Sequence, residues 1–161
     1  MISFEKAKQG KRLMKQFIAD GELEKAAFIG LMYQVPIRVV DAVTLKKSDL
    51  DGRTVLKVSG KYGQLYVDWQ GNPYQITRQL QNILNSMNGD SDRIFTRKRE
   101  YYLRVFYRYR ESFHLHDFRR EHLRNEVLLE RQRREKHPRP IQRFTVEVKD
   151  GKRIFKRVIS T

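Results

Sequence analysis

Residues 36–76 read PIRVVDAVTLKKSDLDGRTVLKVSGKYGQLYVDWQGNPYQI. Isoleucine, valine and threonine dominate Ile37–Lys46, so it reads as a first strand. Leu50-Asp51-Gly52 is a turn signal. Arg53–Ser59 reads as a second strand and Gly60-Lys61-Tyr62-Gly63 as the next turn. Gln64–Trp69 alternates cleanly, with Leu65, Val67 and Trp69 on one face and Tyr66 and Asp68 on the other. Gln70-Gly71-Asn72-Pro73 closes that strand, and Tyr74–Ile76 begins a fourth.

Strands this short cannot stack as a sandwich. Their edges must close or be covered. The expected fold class is therefore α+β, with a small curled sheet or barrel that resembles the SH3 and Tudor barrels in pattern. Such a likeness does not fix function.

Working outward toward the amino terminus, Ser3 is placed to cap a helix in which Phe4, Ala7, Leu13 or Met14, Phe17 and Ile18 recur at helical spacing, although Gly10 weakens its middle. Asp20-Gly21 stops it. Glu22–Tyr33 reads as a second helix with Leu23, Ala26, Ala27 and Leu31 inward, ended by Val35-Pro36. A helix-turn-helix would need Ile37–Leu45 as its recognition helix. That segment is β-branched and poor in the polar side chains that reach base edges, so the strand reading is preferred.

On the other side, Gln75–Met87 is helical, with Ile76, Leu80, Ile83, Leu84 and Met87 in one stripe, and Asn88-Gly89 supplies its carboxyl cap. The chain divides at these signals into 1–35 (helical), 36–92 (barrel-like, with the following helix) and 93–161 (basic and aromatic, with a terminal hairpin).

Arg97–Arg143 holds 15 Arg or Lys against 7 Asp or Glu. Within it, Tyr102–Tyr109 fits two periods. At period two, Leu103, Val105, Tyr107 and Tyr109 share a face; at helical spacing, Tyr102, Phe106, Tyr109 and Phe113 form a seam. The aromatic and β-branched content favours strand. His116–Lys136 reads as a helix with Leu115, Phe118, His122 and Leu129 on one stripe, its Glu130–Arg134 and Arg131–Glu135 pairs adding support. His137-Pro138-Arg139-Pro140 ends it. Phe144–Val148 and Ile154–Val158 form a hairpin about Asp150-Gly151. A three-residue loop, pairing Val148 with Ile154, matches its faces best.

The whole chain has 34 basic and 19 acidic residues and a net charge of +15. That balance points to a polyanionic partner. Cysteine is absent, which rules out disulfides, thiolate nucleophiles and cysteine-based zinc sites. The start of the sequence lacks an apolar core of the signal-peptide kind, and no run approaches a membrane span. An intracellular protein, cytoplasmic or at the nucleoid or nucleus, with no membrane partner, is expected.

No catalytic constellation is read, so an enzyme is not expected, nor any cofactor or metal. His114 and His116 lack a convincing third ligand, and Asp49, Asp51 and Asp68 stand apart. The positive expectation is a nucleic-acid-binding protein that contacts the phosphate backbone of double-stranded DNA with low sequence specificity, in a chromatin or transcription setting. Its phosphate contacts are expected first at Arg97, Lys98, Arg99, Arg104, Arg108 and Arg110. Arg119, Arg120, Arg124, Arg131, Arg133 and Arg134 follow, and Lys8, Lys11, Arg12 and Lys15 add an amino-terminal patch. Lys61 and Tyr62 lie on a turn that reaches a groove. The rings between the arginines either stack on bases or form the buried face of an element. RNA, with Tyr101, Tyr102, Tyr107 and Tyr109 as stacking platforms, is the alternative. So is an acidic protein partner, for which Tyr62, Tyr66, Trp69 and Tyr74 would form an exposed concave cluster.

Overall fold

The structure, a computed structural model, describes residues 4–136 and 142–159. It is mixed α+β, and its two small sheets each hold two antiparallel strands. Helix α1 (Glu5–Ala19) buries Gly10, Leu13, Met14 and Phe17 and turns Lys8, Lys11, Arg12 and Lys15 to solvent. Ser3 lies outside the described residues. The first turn of α1 is capped instead from far along the chain: the Lys6 and Ala7 backbone N–H groups donate to the buried Glu121 carboxylate at 3.0 and 3.1 Å.

Helix α2 (Leu23–Gln34) buries every residue from Ala26 to Met32. It is the central helix of the core, apolar nearly all round. Leu23, expected inward, is 44% exposed at its start. Gly10 and Gly30 set the spacing of the helices. A Cβ at Gly10 would come within 2.9 Å of Tyr33 Cβ, and one at Gly30 within 2.8 Å of Met14 Sδ. The glycine that weakens α1 by propensity is what lets its neighbours approach.

The barrel expected over 36–76 does not form. Val39–Val43 is a short helix, α3, rather than a strand. Coiling lets Ile37, Ala42 and Leu45 all face the core, a gain in burial that overrides β-propensity. At five residues it is also too short to be a recognition helix. Beyond it, β1 (Leu50–Asp51) pairs with β2 (Thr54–Val55), and the rest of the segment is held by isolated bridges, Thr54 to Gln75, Val58 to Leu65 and Val67 to Pro73. Two features keep the ladders from growing. Asp68 Oδ1 accepts the backbone N–H groups of Gln70 and Asn72, each at 2.9 Å, and Pro73 has no N–H to give. The face assignment also fails at Tyr66, which is buried beside Leu65.

Helix α4 (Arg78–Ser86) begins at Thr77, whose hydroxyl accepts from the Leu80 N–H at 3.3 Å. Asn88 and Gly89 end it in the left-handed region, at φ 57° and 55°. Arg99–Tyr107 is helix α5, not the strand favoured from composition. Tyr102 stacks on Phe28 with ring centroids 4.0 Å apart, and Phe106 meets Phe17 edge-on at 6.0 Å. The period-3.6 seam is the one the core uses. Helix α6 (Leu115–Lys136) follows and packs on α1 and α2. One cluster of buried side chains runs from Leu13 through Phe28, Ile37, Val55, Leu80 and Phe95 to Phe118.

The hairpin pairs β3 (Gln142–Lys149) with β4 (Lys152–Ile159). Its loop has two residues, with Val148 opposite Arg153, rather than three. Asp150 at φ 53° and Gly151 at φ 74° supply the primed turn that suits twisted strands, and this outweighs face matching. The hairpin touches the 56–65 segment through a Gln64–Glu147 bridge and an Arg153 guanidinium bond to Leu56 O at 3.2 Å.

Candidate nucleic-acid interface

The aromatic residues of α5 divide by role. Tyr102 and Phe106 are buried, and the Tyr102 hydroxyl donates to Glu24 at 2.7 Å. Burial, with that carboxylate beside it, pushes the Tyr102 hydroxyl pKa well up. Tyr101 and Tyr109 are half-buried, and Tyr107 is 62% exposed. The four-tyrosine stacking platform is therefore not assembled. The rings instead carry cations: Arg97 lies over Tyr101 at 4.9 Å, Arg110 over Tyr107 at 4.3 Å and Arg108 over Tyr109 at 5.8 Å.

Arg97, Lys98, Arg99, Arg104, Arg108 and Arg110 are all exposed. Arg99 lies 3.5 Å from Glu100. The other five have no acidic partner among the described residues. On α6, Arg120, Arg124, Arg131 and Arg134 are exposed at spacings that place them on one face, a stripe of about 21 Å at 1.5 Å per residue. Arg120 approaches Asp117 at 3.9 Å and Arg134 pairs with Glu130 at 3.1 Å.

Arg119 and Arg133 do not belong to that stripe. Arg133 is half-buried on another side of the helix. Arg119 turns toward the core side, and its Nη1 donates to Pro36 O at 2.7 Å. There it lines a cleft of about 240 Å³ with Arg38, Ser59, Tyr62, Tyr66 and Leu123. Each arginine is anchored by one bond and presents its remaining donors. Arg38 Nη1 donates to Ser59 Oγ at 3.2 Å, and its guanidinium lies 5.3 Å from the Tyr62 ring centre, with Lys61 Nζ at 5.2 Å from the same ring.

A buried hydrogen-bond network fixes this cleft. Asp41, 3% exposed, accepts from the Tyr66 hydroxyl and from the Gly60 N–H at 3.0 Å. Tyr66 Oη in turn accepts from the Arg38 N–H at 3.3 Å, and Ser59 Oγ from the Lys61 N–H at 3.4 Å. The turn that carries Lys61 and Tyr62 is thus tied to the start of α3. Sequence reasoning missed Arg38, although a signal was present. It is the one cation in the apolar run Val35–Val43.

Leu123 lines the cleft and is itself 37% exposed three residues after Arg120, so the cleft lies at the edge of the α6 arginine stripe, none of whose four members lines it. Lys8, Lys11, Arg12 and Lys15 are exposed on α1, and none of them lines the cleft. Tyr66 and Tyr74 are buried, so the exposed tyrosine–tryptophan cluster expected for a protein-binding barrel is not formed.

Several acids serve as hydrogen-bond acceptors for other segments, and Asp41 and Glu121 are buried. Glu24 accepts from Thr96 and Tyr102, Glu121 from α1, and Glu126 from the Tyr74 hydroxyl at 2.6 Å. Asp49 accepts the Lys46 N–H, and Asp117 the His114 N–H at the start of α6. Other acids, among them Glu22, Asp51, Glu100, Glu111 and Glu135, stay exposed, so the positive surface rests on the excess of cations, 34 against 19. No helix among the described residues is long and apolar enough to cross a membrane. Comparison with family models, characterised proteins and solved structures gives no match.

Proposed function

We propose that this chain binds nucleic acid through its phosphate backbone, double-stranded DNA in the first place, with low sequence specificity. The observation that carries the reading is the cleft in which Arg38 and Arg119, drawn from distant segments, converge beside Lys61 and Tyr62. An arginine anchored by one bond and free at its other donors is preorganised for a phosphate oxygen. The exposed cations of α5 and α6 extend the same chemistry over a surface long enough to follow a backbone. Duplex is favoured over unpaired strands because Tyr102 is buried and Tyr101 and Tyr109 are half-buried, which removes most of the stacking surface that single strands use.

The test is fluorescence anisotropy with duplex DNA, single-stranded DNA and duplex RNA of equal length. Duplex DNA is expected to bind tightest. Arg38→Gln with Lys61→Gln is expected to weaken it by about tenfold or more, since each charge-assisted hydrogen bond to phosphate that disappears costs roughly 1 kcal/mol or more. Equal affinity of wild type and the double variant would remove the cleft from the interface.

A further inference from the structure

A second opening of about 240 Å³ lies between α3 and α5, and its chemistry differs from that of the phosphate cleft. Phe106 and Leu115, both buried, form its depth; Val39, Leu103 and Tyr107 form its apolar walls, and the exposed His114 and His116 complete its lining. Leu103 is 45% exposed, Tyr107 62% and the adjoining Val40 47%, so this is an open apolar patch on an otherwise charged surface. Leu103 and Tyr107 are four residues apart and stand side by side on α5. Arg104 and Arg108 follow each of them by one position, and Arg110 covers the Tyr107 ring. The patch is apolar at its centre, with His114, His116 and the Arg110 guanidinium at its edge and the exposed Arg104 and Arg108 on the adjoining face of α5.

We propose that this opening is a docking site for an acidic segment of another protein, which inserts one leucine- or phenylalanine-sized side chain between Leu103 and Val39 and sets its carboxylates against Arg104, Arg108 and Arg110. Charge complementarity selects this occupant. A second copy of the chain would bring a net charge of +15 against a basic rim. A nucleic acid satisfies the arginines but carries no aliphatic side chain for the opening. An amphipathic acidic helix supplies both in the helix-in-groove manner, with apolar anchors at its contact face and glutamates beside them. The proposal stands on the apolar residues and does not depend on the phosphate cleft.

The probe is a fluorescein-labelled helical peptide, with leucines on one face and glutamates elsewhere, titrated into the full chain at near-physiological salt. Its control replaces every leucine by serine and keeps the charge. The leucine peptide is expected to bind about tenfold or more tighter than the serine peptide. Leu103→Ser, at an exposed position, is expected to bring the two together while leaving duplex DNA affinity unchanged. Saturable binding of neither peptide, equal binding of both by the wild type, or an unchanged preference in L103S would each overturn the proposal. Weakened duplex binding in R38Q/K61Q with the peptide preference intact would separate the apolar opening from the Arg38–Arg119 cleft, with Arg104, Arg108 and Arg110 available to either partner.

Discussion

Asp41 shows how one buried side chain sets the geometry of a surface it never reaches. Its carboxylate accepts from the Tyr66 hydroxyl and the Gly60 N–H, and through them it holds the Lys61–Tyr62 turn against Arg38. Asp41→Ala leaves those two donors without an acceptor and is expected to cost about 2–3 kcal/mol, read as a lower denaturant midpoint. Asp41→Asn keeps an acceptor and is expected to cost less. His122 gives a pH-dependent counterpart. Burial, outweighing the nearby Asp68 and Glu121 carboxylates, lowers its pKa, so its 3.8 Å approach to Glu126 is the contact of a neutral ring at pH 7. The folded pKa lies below the unfolded value of about 6.5, so the unfolded chain takes up the proton first as pH falls. The stability this residue contributes is complete above that value and is lost as pH drops toward the folded pKa. Thermal melts from neutral to mildly acidic pH are expected to fall in the wild type and to fall less in His122→Gln. An identical slope in both would assign the loss to other groups.

At the scale of elements, helices are the legible part of the sequence. The stripe of Ile76, Leu80 and Leu84 and that of Leu115 and Phe118 locate α4 and α6, because each helix buries one face. Composition misleads at α5. Its valine, phenylalanine and tyrosines suit a strand, and the choice of period belongs to Phe28 and Phe17, which no local window contains. The same holds for Val39–Val43, whose helix depends on burying Ala42 and on the Asp41 network. Gly10 illustrates the reverse sign. By helix propensity, Gly10→Ala should stabilise α1 by about 1 kcal/mol. With Tyr33 Cβ at 2.9 Å from the new methyl group, overpacking of about 1–3 kcal/mol is expected to win. Chemical denaturation of the variant checks the sign. A raised midpoint would mean that α1 and α2 shift apart freely.

Over the whole molecule, the basic character is legible from residue counts, and its distribution is not. Counts cannot reveal that Glu24, Glu121 and Glu126 turn their carboxylates to acceptors' work inside the fold while Arg104, Arg108 and Arg110 stand exposed. Nor can spacing bring Arg38 and Arg119 to one cleft, since their meeting depends on Pro36 O anchoring a guanidinium from α6. The central claim is that this surface meets phosphates, and its most direct measurement is the salt dependence of binding to a short DNA duplex. With roughly six to ten phosphates neutralised, the slope of log affinity against log salt is expected at about −5 to −9. Arg104→Gln, Arg108→Gln and Arg110→Gln together are expected to make it shallower by about 0.9 for each phosphate no longer neutralised. A shallow slope in the wild type, or no duplex binding near physiological salt, would contradict the account.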